Sequence, residues 1–277
     1  MAPQGKQLTL AGILQHPRFS TVMSLSFLLL SGIMVFFNVY LQHWGIGTFD
    51  SVSRWVELRG EAGYYDSTPF CDARGKPSIL DYARSPAGRF MHILPAGLWS
   101  VIAPLQLSPT FRARHRTAHR RLGRLFIFMS ASIAFGVVPL IVSGASIFPR
   151  SVLIDGFFFA FSAYFLGTGL LAVRYARGQR FSDHRVWILR HVAMGYSVHL
   201  QRLLAFPTYW IFPYVLPGYT DHSPKGALLR GGSLLMYFYL SVALSVGSME
   251  LWLRHTTPGG VAPGKKAQDK VATTKAT

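Results

Sequence analysis

Five stretches of this chain are long, apolar and nearly free of charge, and no other feature restricts its possible folds so strongly. A helix needs about 20 predominantly apolar residues to cross the hydrocarbon core of a bilayer. Thr21 to Leu41 meets that with no charge at all, and Leu125 to Phe148 is the longest clean run. Phe90 to Leu107 is slightly shorter and carries His92, Pro95 and Pro104; Ser151 to Val173 is clean except for Asp155. Gly231 to Met249 is clean and stops at Glu250. A sixth stretch, Val186 to Val215, is apolar on average but holds Arg190, His191, His199, Gln201 and Arg202, with Pro207 and Pro213 breaking its far part. It reads as a further span with a broken end. The expectation is an all-α, polytopic transmembrane helix bundle of six spans, with a count of seven left open. The first run starts near Ser20 and is long enough to span, so it reads as a helix that stays rather than a cleavable leader.

Composition agrees. Only 14% of the residues are charged and 50% are apolar, against about a quarter charged in an ordinary soluble domain. The net charge of +17 needs a separate account. Six arginines lie between Phe111 and Arg124 and four between Arg174 and Arg185, whereas Gln42 to Arg89 balances six acids against six basic residues. With alternating spans the two arginine-rich connections share a side, and Lys265, Lys266, Lys270 and Lys275 of the tail join them. That distribution is the positive-inside pattern and predicts cytosolic termini. Arginine loops this short beside spans are topology signals, so no nucleic-acid partner is expected. One bundle over residues 1–255 is therefore predicted, with 42–89 as a non-cytosolic loop or cap. Residues 256–277 read as a disordered basic tail. Cys71 is the sole cysteine, which excludes an intrachain disulfide, a four-thiolate zinc site and a CxxC pair. No metal site is expected.

Ionisable side chains at membrane depth are costly and usually face a bundle interior, which makes them functional candidates. On a helix from His184 onward, His184, His191, Gly195 and Arg202 share a stripe, with His199 beside it. His184 and His199 lie roughly 22 Å apart along such an axis. His119 falls before the third span and His92 near the other side of the second. Imidazoles at two depths suit a pair of stacked haems, so His92, His119, His184, His191 and His199 are candidate axial ligands. Ala118 to Leu125, AHRRLGRL, also resembles a histidine-leucine-glycine stretch of cytochrome b561-type helices. The plainer alternative makes His119 and His184 headgroup-level cations and leaves His92 and His199 as hydrogen-bonded core residues.

A second constellation is acidic and aromatic. Asp155 opens the fourth span and is followed by Phe157, Phe158, Phe159, Phe161, Tyr164 and Phe165. A carboxyl in apolar surroundings can stay protonated and serve as a general acid, and ring faces stabilise a nearby cation. Together they suit cyclisation of an isoprenoid chain by protonation of an alkene or epoxide, with water kept out. Asp155 would be the catalytic donor, and His92, His199 and Arg202 would line the same cavity and orient or recharge it. No cofactor is needed for this chemistry. Glu250 is a second, less enclosed carboxyl. The plainer alternative has the phenylalanines facing lipid and Asp155 complementing a helix start. No GxGxxG, P-loop, GxSxG or Asp-rich diphosphate-binding pattern occurs.

Four separated pieces carry a wider resemblance. They are His92 with Pro95 and Gly97; the arginine-rich Arg112 to Arg124 with its histidine and LGR; His184, Arg185, Trp187 and Arg190 in an HRxW arrangement; and Arg202. In that order, over Phe90 to about Pro213, they resemble a family of predicted multi-pass membrane proteins of unknown function, which implies a fold and no activity. In size and layout the chain is also similar to small fungal membrane-bound terpene cyclases of the ascofuranone and macrophorin kind, which close rings on prenylated precursors. That resemblance implies an amphipathic prenylated substrate, meroterpenoid-type secondary metabolism and an endoplasmic reticulum or other internal membrane. It carries no catalytic residue over. A non-enzymatic lipid-binding or transport scaffold, with the ionisable stripe lining a polar cavity, is the third expectation.

Overall fold

The computed structural model describes residues 25–26, 28–32, 85–143, 151–205, 208–218 and 224–256. Among the described residues seven helices follow residue 85: α1 (Ala87–Leu107), α2 (Pro109–Arg114), α3 (Arg116–Val142), α4 (Val152–Arg177), α5 (Phe181–Ala205), α6 (Thr208–Val215) and α7 (Pro224–Thr256). No strand occurs among the described residues. Residues 25–26 and 28–32 are helical as well. The rest of the expected first span, most of the 42–89 cap and the tail beyond 256 lie outside the described residues.

Among the described residues four helices are long and apolar enough to cross a bilayer: α1, α3, α4 and the Gly232–Thr256 part of α7. The 25 residues of α5 would also span by length, but its histidines, arginines and glutamine lower its hydropathy. α5 ends at Ala205 and the short α6 begins at Thr208; Pro207, expected to break the span, lies outside the described residues, and Pro213, expected to break it as well, lies within α6. Two connections read from the sequence as loops are largely helical. Arg112 and Arg114 lie in α2, capped by the Ser108 hydroxyl accepting from Phe111 N–H, and Arg116 to Arg124 form the first turns of α3. Likewise α4 runs on to Arg177 and only residues 178–180 separate it from α5. Arginine is a good helix former, and its long stem lets a spanning helix extend beyond the apolar core. The turn between α4 and α5 is made by Gln179, which takes a left-handed φ of 58°.

The core centres on α5, which packs against α4 and α7, while α3 packs against α1 and α4. The first seven residues of α1 are wound as a π-helix. Pro95 has no N–H to reach back toward the Met91 carbonyl, and Ser132 Oγ of α3 donates to that carbonyl at 3.0 Å. Gly136 lets the two backbones meet there, since a methyl on it would stand 3.0 Å from Met91. Between α5 and α7, Ser245 Oγ donates to the Ala193 carbonyl at 2.7 Å and Gln201 Nε2 to that of Leu234 at 3.3 Å. Close approach through small side chains and hydroxyls is how helices associate where no hydrophobic drive separates them from lipid.

Candidate functional site: a histidine-lined polar seam

Trp99 of α1 is the hub of the interior. Only 2% of it is exposed. Its indole stacks on Phe126 at 4.8 Å and lies 5.9 Å from the His191 ring and 6.1 Å from that of His199. Gly195, midway between those histidines, gives the indole its place: a Cβ there would lie 2.4 Å from Trp99 Cη2. Residues 191, 195 and 199 of one helix thus form a trough that holds a tryptophan from another. The spacing of four keeps all three within a narrow face.

Each histidine is fixed by the same pair of contacts. His191 Nδ1 is 2.8 Å from the Phe165 carbonyl, which can only accept, so Nδ1 carries the proton. In the neutral ring Nε2 is then an acceptor, and Ser130 Oγ stands 2.9 Å from it. Ser130 also accepts from Trp99 Nε1 at 3.0 Å, and its single proton is shared between His191 Nε2 and the Phe126 carbonyl, the latter at 2.8 Å. Two turns along, His199 Nδ1 faces the Gly195 carbonyl at 3.1 Å, and its Nε2 faces Ser100 Oγ at 2.8 Å. Phe165 stacks on His191 at 4.3 Å, and Tyr196 covers His199 at 4.6 Å. Tyr196 itself shares a hydrogen bond with Ser31, which ties the described piece of the N-terminal helix to the seam.

At the end remote from the arginine-rich connections the seam becomes cationic. Arg202 lies near enough to His92 and to His199 to interact with both electrostatically. Its Nε is buried and makes no hydrogen bond, and the same holds for Nε of Arg89, one turn before His92. Neither arginine has an ion-pair partner among the described residues. His92 is oriented by its Nδ1, which donates to the Ile133 carbonyl at 3.1 Å. The structure therefore brings together three of the four residues expected to act jointly: His92, His199 and Arg202. The fourth, Asp155, is half-buried in the first turn of α4, where a carboxylate complements the helix N-terminus. The rings after it are not an open chamber. Phe157, Phe158 and Phe161 pack on Phe238 of α7 at 5.9, 5.1 and 5.1 Å, and Phe157 meets Tyr239 at 4.6 Å.

At the arginine-rich end, His184 Nδ1 donates to the Ala172 carbonyl at 2.9 Å, and His119 is within electrostatic range of His184 and Arg112. Glu250 is engaged: Arg190 grips it with Nε and Nη2, the latter at 2.9 Å, and lies over the Trp187 ring at 4.8 Å. A carboxylate held by a bidentate guanidinium is a counterion rather than an acid.

These positions decide how well the histidines suit a haem. An axial ligand offers its Nε2 lone pair to iron, with Nδ1–H oriented by a carbonyl. His191 and His199 have the oriented Nδ1, but serine hydroxyls occupy their Nε2 atoms and the Trp99 indole fills the space between them. As placed, these two do not fit a haem iron. Among the described residues no cluster of three metal-ligating side chains occurs.

Sequence reasoning put Gly195 on the histidine stripe without a role and passed over Trp99, Ser100 and Ser130. The glycine midway between two histidines was the available signal; the serines carried none, because each is identified only by its partner on another helix.

Many large apolar side chains lie on the outside of the bundle, among them Phe128 (66% exposed), Phe135 (59%) and Leu170 (52%). Such a surface is suited to lipid rather than water. Residues 89–221, just under half of the chain, match the family described as predicted membrane protein (DUF2306). No match was found among curated proteins or solved structures. By its apolar helices, its exposed surface and this family segment, the chain is a multi-pass membrane protein.

Proposed function

We propose that the bundle binds an amphipathic small molecule with an anionic head, held by Arg202 together with Arg89 beside the hydrogen-bonded rings of His92 and His199, and an apolar tail among the helices. One observation carries this reading. A guanidinium at membrane depth has a buried Nε without a hydrogen bond and no counterion among the described residues. Burying a charge unpaired is expensive, so such groups mark places where a ligand or ion completes the pairing. A carboxylate or phenolate head on a prenylated chain has the matching chemistry. The test is ligand retention. Protein purified in mild detergent is extracted and its bound anionic amphiphiles are compared by mass spectrometry with those of Arg202→Gln and Arg202→Lys. The ligand is expected to fall sharply in the glutamine variant and partly in the lysine variant. Equal amounts in all three would remove the assignment.

A second reading makes this binding site part of an enzyme. In it, Asp155 protonates an alkene or epoxide of the prenyl tail, and the Phe157, Phe158, Phe161, Phe238 and Tyr239 rings support the cation. The ring cluster beginning two residues after Asp155 favours it. The close ring-on-ring packing weighs the other way, because rings already in contact leave no open chamber for a folded prenyl chain. Membranes containing the protein, fed a prenylated epoxide, would form a ring that Asp155→Asn membranes do not. Undiminished ring formation by the variant would eliminate Asp155 as the donor.

A further inference from the structure

Around the junction of α2 and α3 the arginine-rich end carries charge that no acid among the described residues pairs with. Between Asp81 and Asp155 the sequence contains no acid, yet Arg112, Arg114, Arg116, Arg120, Arg121 and Arg124 all lie there. Among the described residues none of the six forms an ion pair. The junction of α2 and α3 borders an open cleft of about 860 Å³, lined by Arg114, His115, Arg116, Arg121 and Leu122 among others. The three arginines are exposed.

What continues from this cleft identifies its occupant. From Arg121 the positions Leu125, Phe128, Ser132 and Phe135 follow at alternating steps of four and three, a single face of α3. Leu125 is 40% exposed, Phe128 66% and Phe135 59%. One helix face therefore passes from a guanidinium cluster directly onto a bare apolar strip. A soluble anion would use the first part only; a molecule with a phosphate head and acyl chains uses both.

We infer that the cleft between α2 and α3 binds the phosphate head of an anionic glycerophospholipid, with an acyl chain lying along Leu125, Phe128 and Phe135. Arg114, Arg116 and Arg121 pair with the phosphate oxygens as charge-assisted donors. The site is remote from Arg202 and independent of the ligand proposed there.

The experiment uses the full chain in neutral detergent. Its thermal midpoint is followed while phosphatidylglycerol, phosphatidylcholine or inorganic phosphate is titrated in. Phosphatidylglycerol is expected to raise the midpoint at concentrations where the other two do not. Each arginine near a lipid surface contributes about fivefold in affinity. The triple variant Arg114→Gln/Arg116→Gln/Arg121→Gln should therefore need at least tenfold more phosphatidylglycerol for the same shift. Arg177→Gln/Arg180→Gln, in the other arginine group, should behave as the unaltered protein. Should the triple variant fail to fold, Arg121→Gln and Phe128→Ala are measured singly, and each is expected to weaken the lipid response. A shift equal for phosphatidylcholine, a shift reproduced by phosphate alone, or one undiminished in the cleft variants would overturn the proposal.

Discussion

Replacing Gly195 by alanine should destabilise the bundle, although alanine is the better helix former by about 1 kcal/mol. The added methyl would stand 2.4 Å from Trp99 Cη2, 2.7 Å from Cζ2 and 3.1 Å from Cζ3. Carbon atoms rest comfortably at about 3.5–4.0 Å, so the indole or α5 must retreat by roughly 1 Å. Little can give. The indole is stacked on Phe126, lies 5.7 Å from the Tyr196 ring and donates to Ser130 at 3.0 Å. A retreat of that size breaks the last bond, a loss of about 1 kcal/mol. Overpacking typically costs about 1–3 kcal/mol more. After the gain in helix propensity, a net loss of about 1–3 kcal/mol remains. At about 2–4 °C per kcal/mol for a chain of this size, the midpoint should fall by roughly 2–12 °C. The assay is the surviving monodisperse fraction of detergent-purified protein after heating. Gly167→Ala is the control, because no heavy atom lies within 4 Å of its added methyl; it should be neutral or stabilising. Trp99→Phe removes the ring atoms that collide, so Gly195→Ala should cost less in that background. A Gly195→Ala protein as stable as the parent, or no coupling to Trp99, would refute the close-packed trough.

Three further outcomes follow from the same geometry. Ser130→Ala leaves Trp99 Nε1 and His191 Nε2 buried without their partner; a loss of about 1–3 kcal/mol is expected, read by the same heating assay, and an unchanged midpoint would mean the hydroxyl is not the link between the two rings. Glu250→Gln strands the Arg190 guanidinium, whose side chain is 15% exposed. Glu250 is 31% exposed, so the loss should be about 1–3 kcal/mol, below that of a fully buried pair, and Arg190→Gln/Glu250→Gln should recover much of it; a double variant no better than the single one would show the pairing to be energetically idle. A reduced-minus-oxidised visible spectrum of protein expressed with haem available should show no band that depends on His191 or His199, since their Nε2 atoms are held by serines; b-type bands lost in His191→Ala or His199→Ala would show that those hydrogen bonds break on haem binding.

The amino-acid sequence by itself determined that this chain enters a membrane and where most of its helices run. Runs such as Ser151 to Val173 leave water no acceptable way to solvate them, and in lipid the backbone must satisfy its own hydrogen bonds. The arginine-rich connections were less legible: absence of apolar residues suggested loops, but helix formation there needs only backbone hydrogen bonds and good helix formers, not an apolar face. At the site, periodicity put His191, Gly195 and Arg202 near one stripe but could not say what faced it. That was decided by tertiary structure. Trp99 enters the gap above Gly195 from α1, Ser100 and Ser130 arrive from α1 and α3, and Glu250 reaches Arg190 from α7. Each pairing joins residues on different helices. A sequence periodicity specifies the face of a single helix, whereas these partners are chosen by how the helices cross and which small residues let them approach.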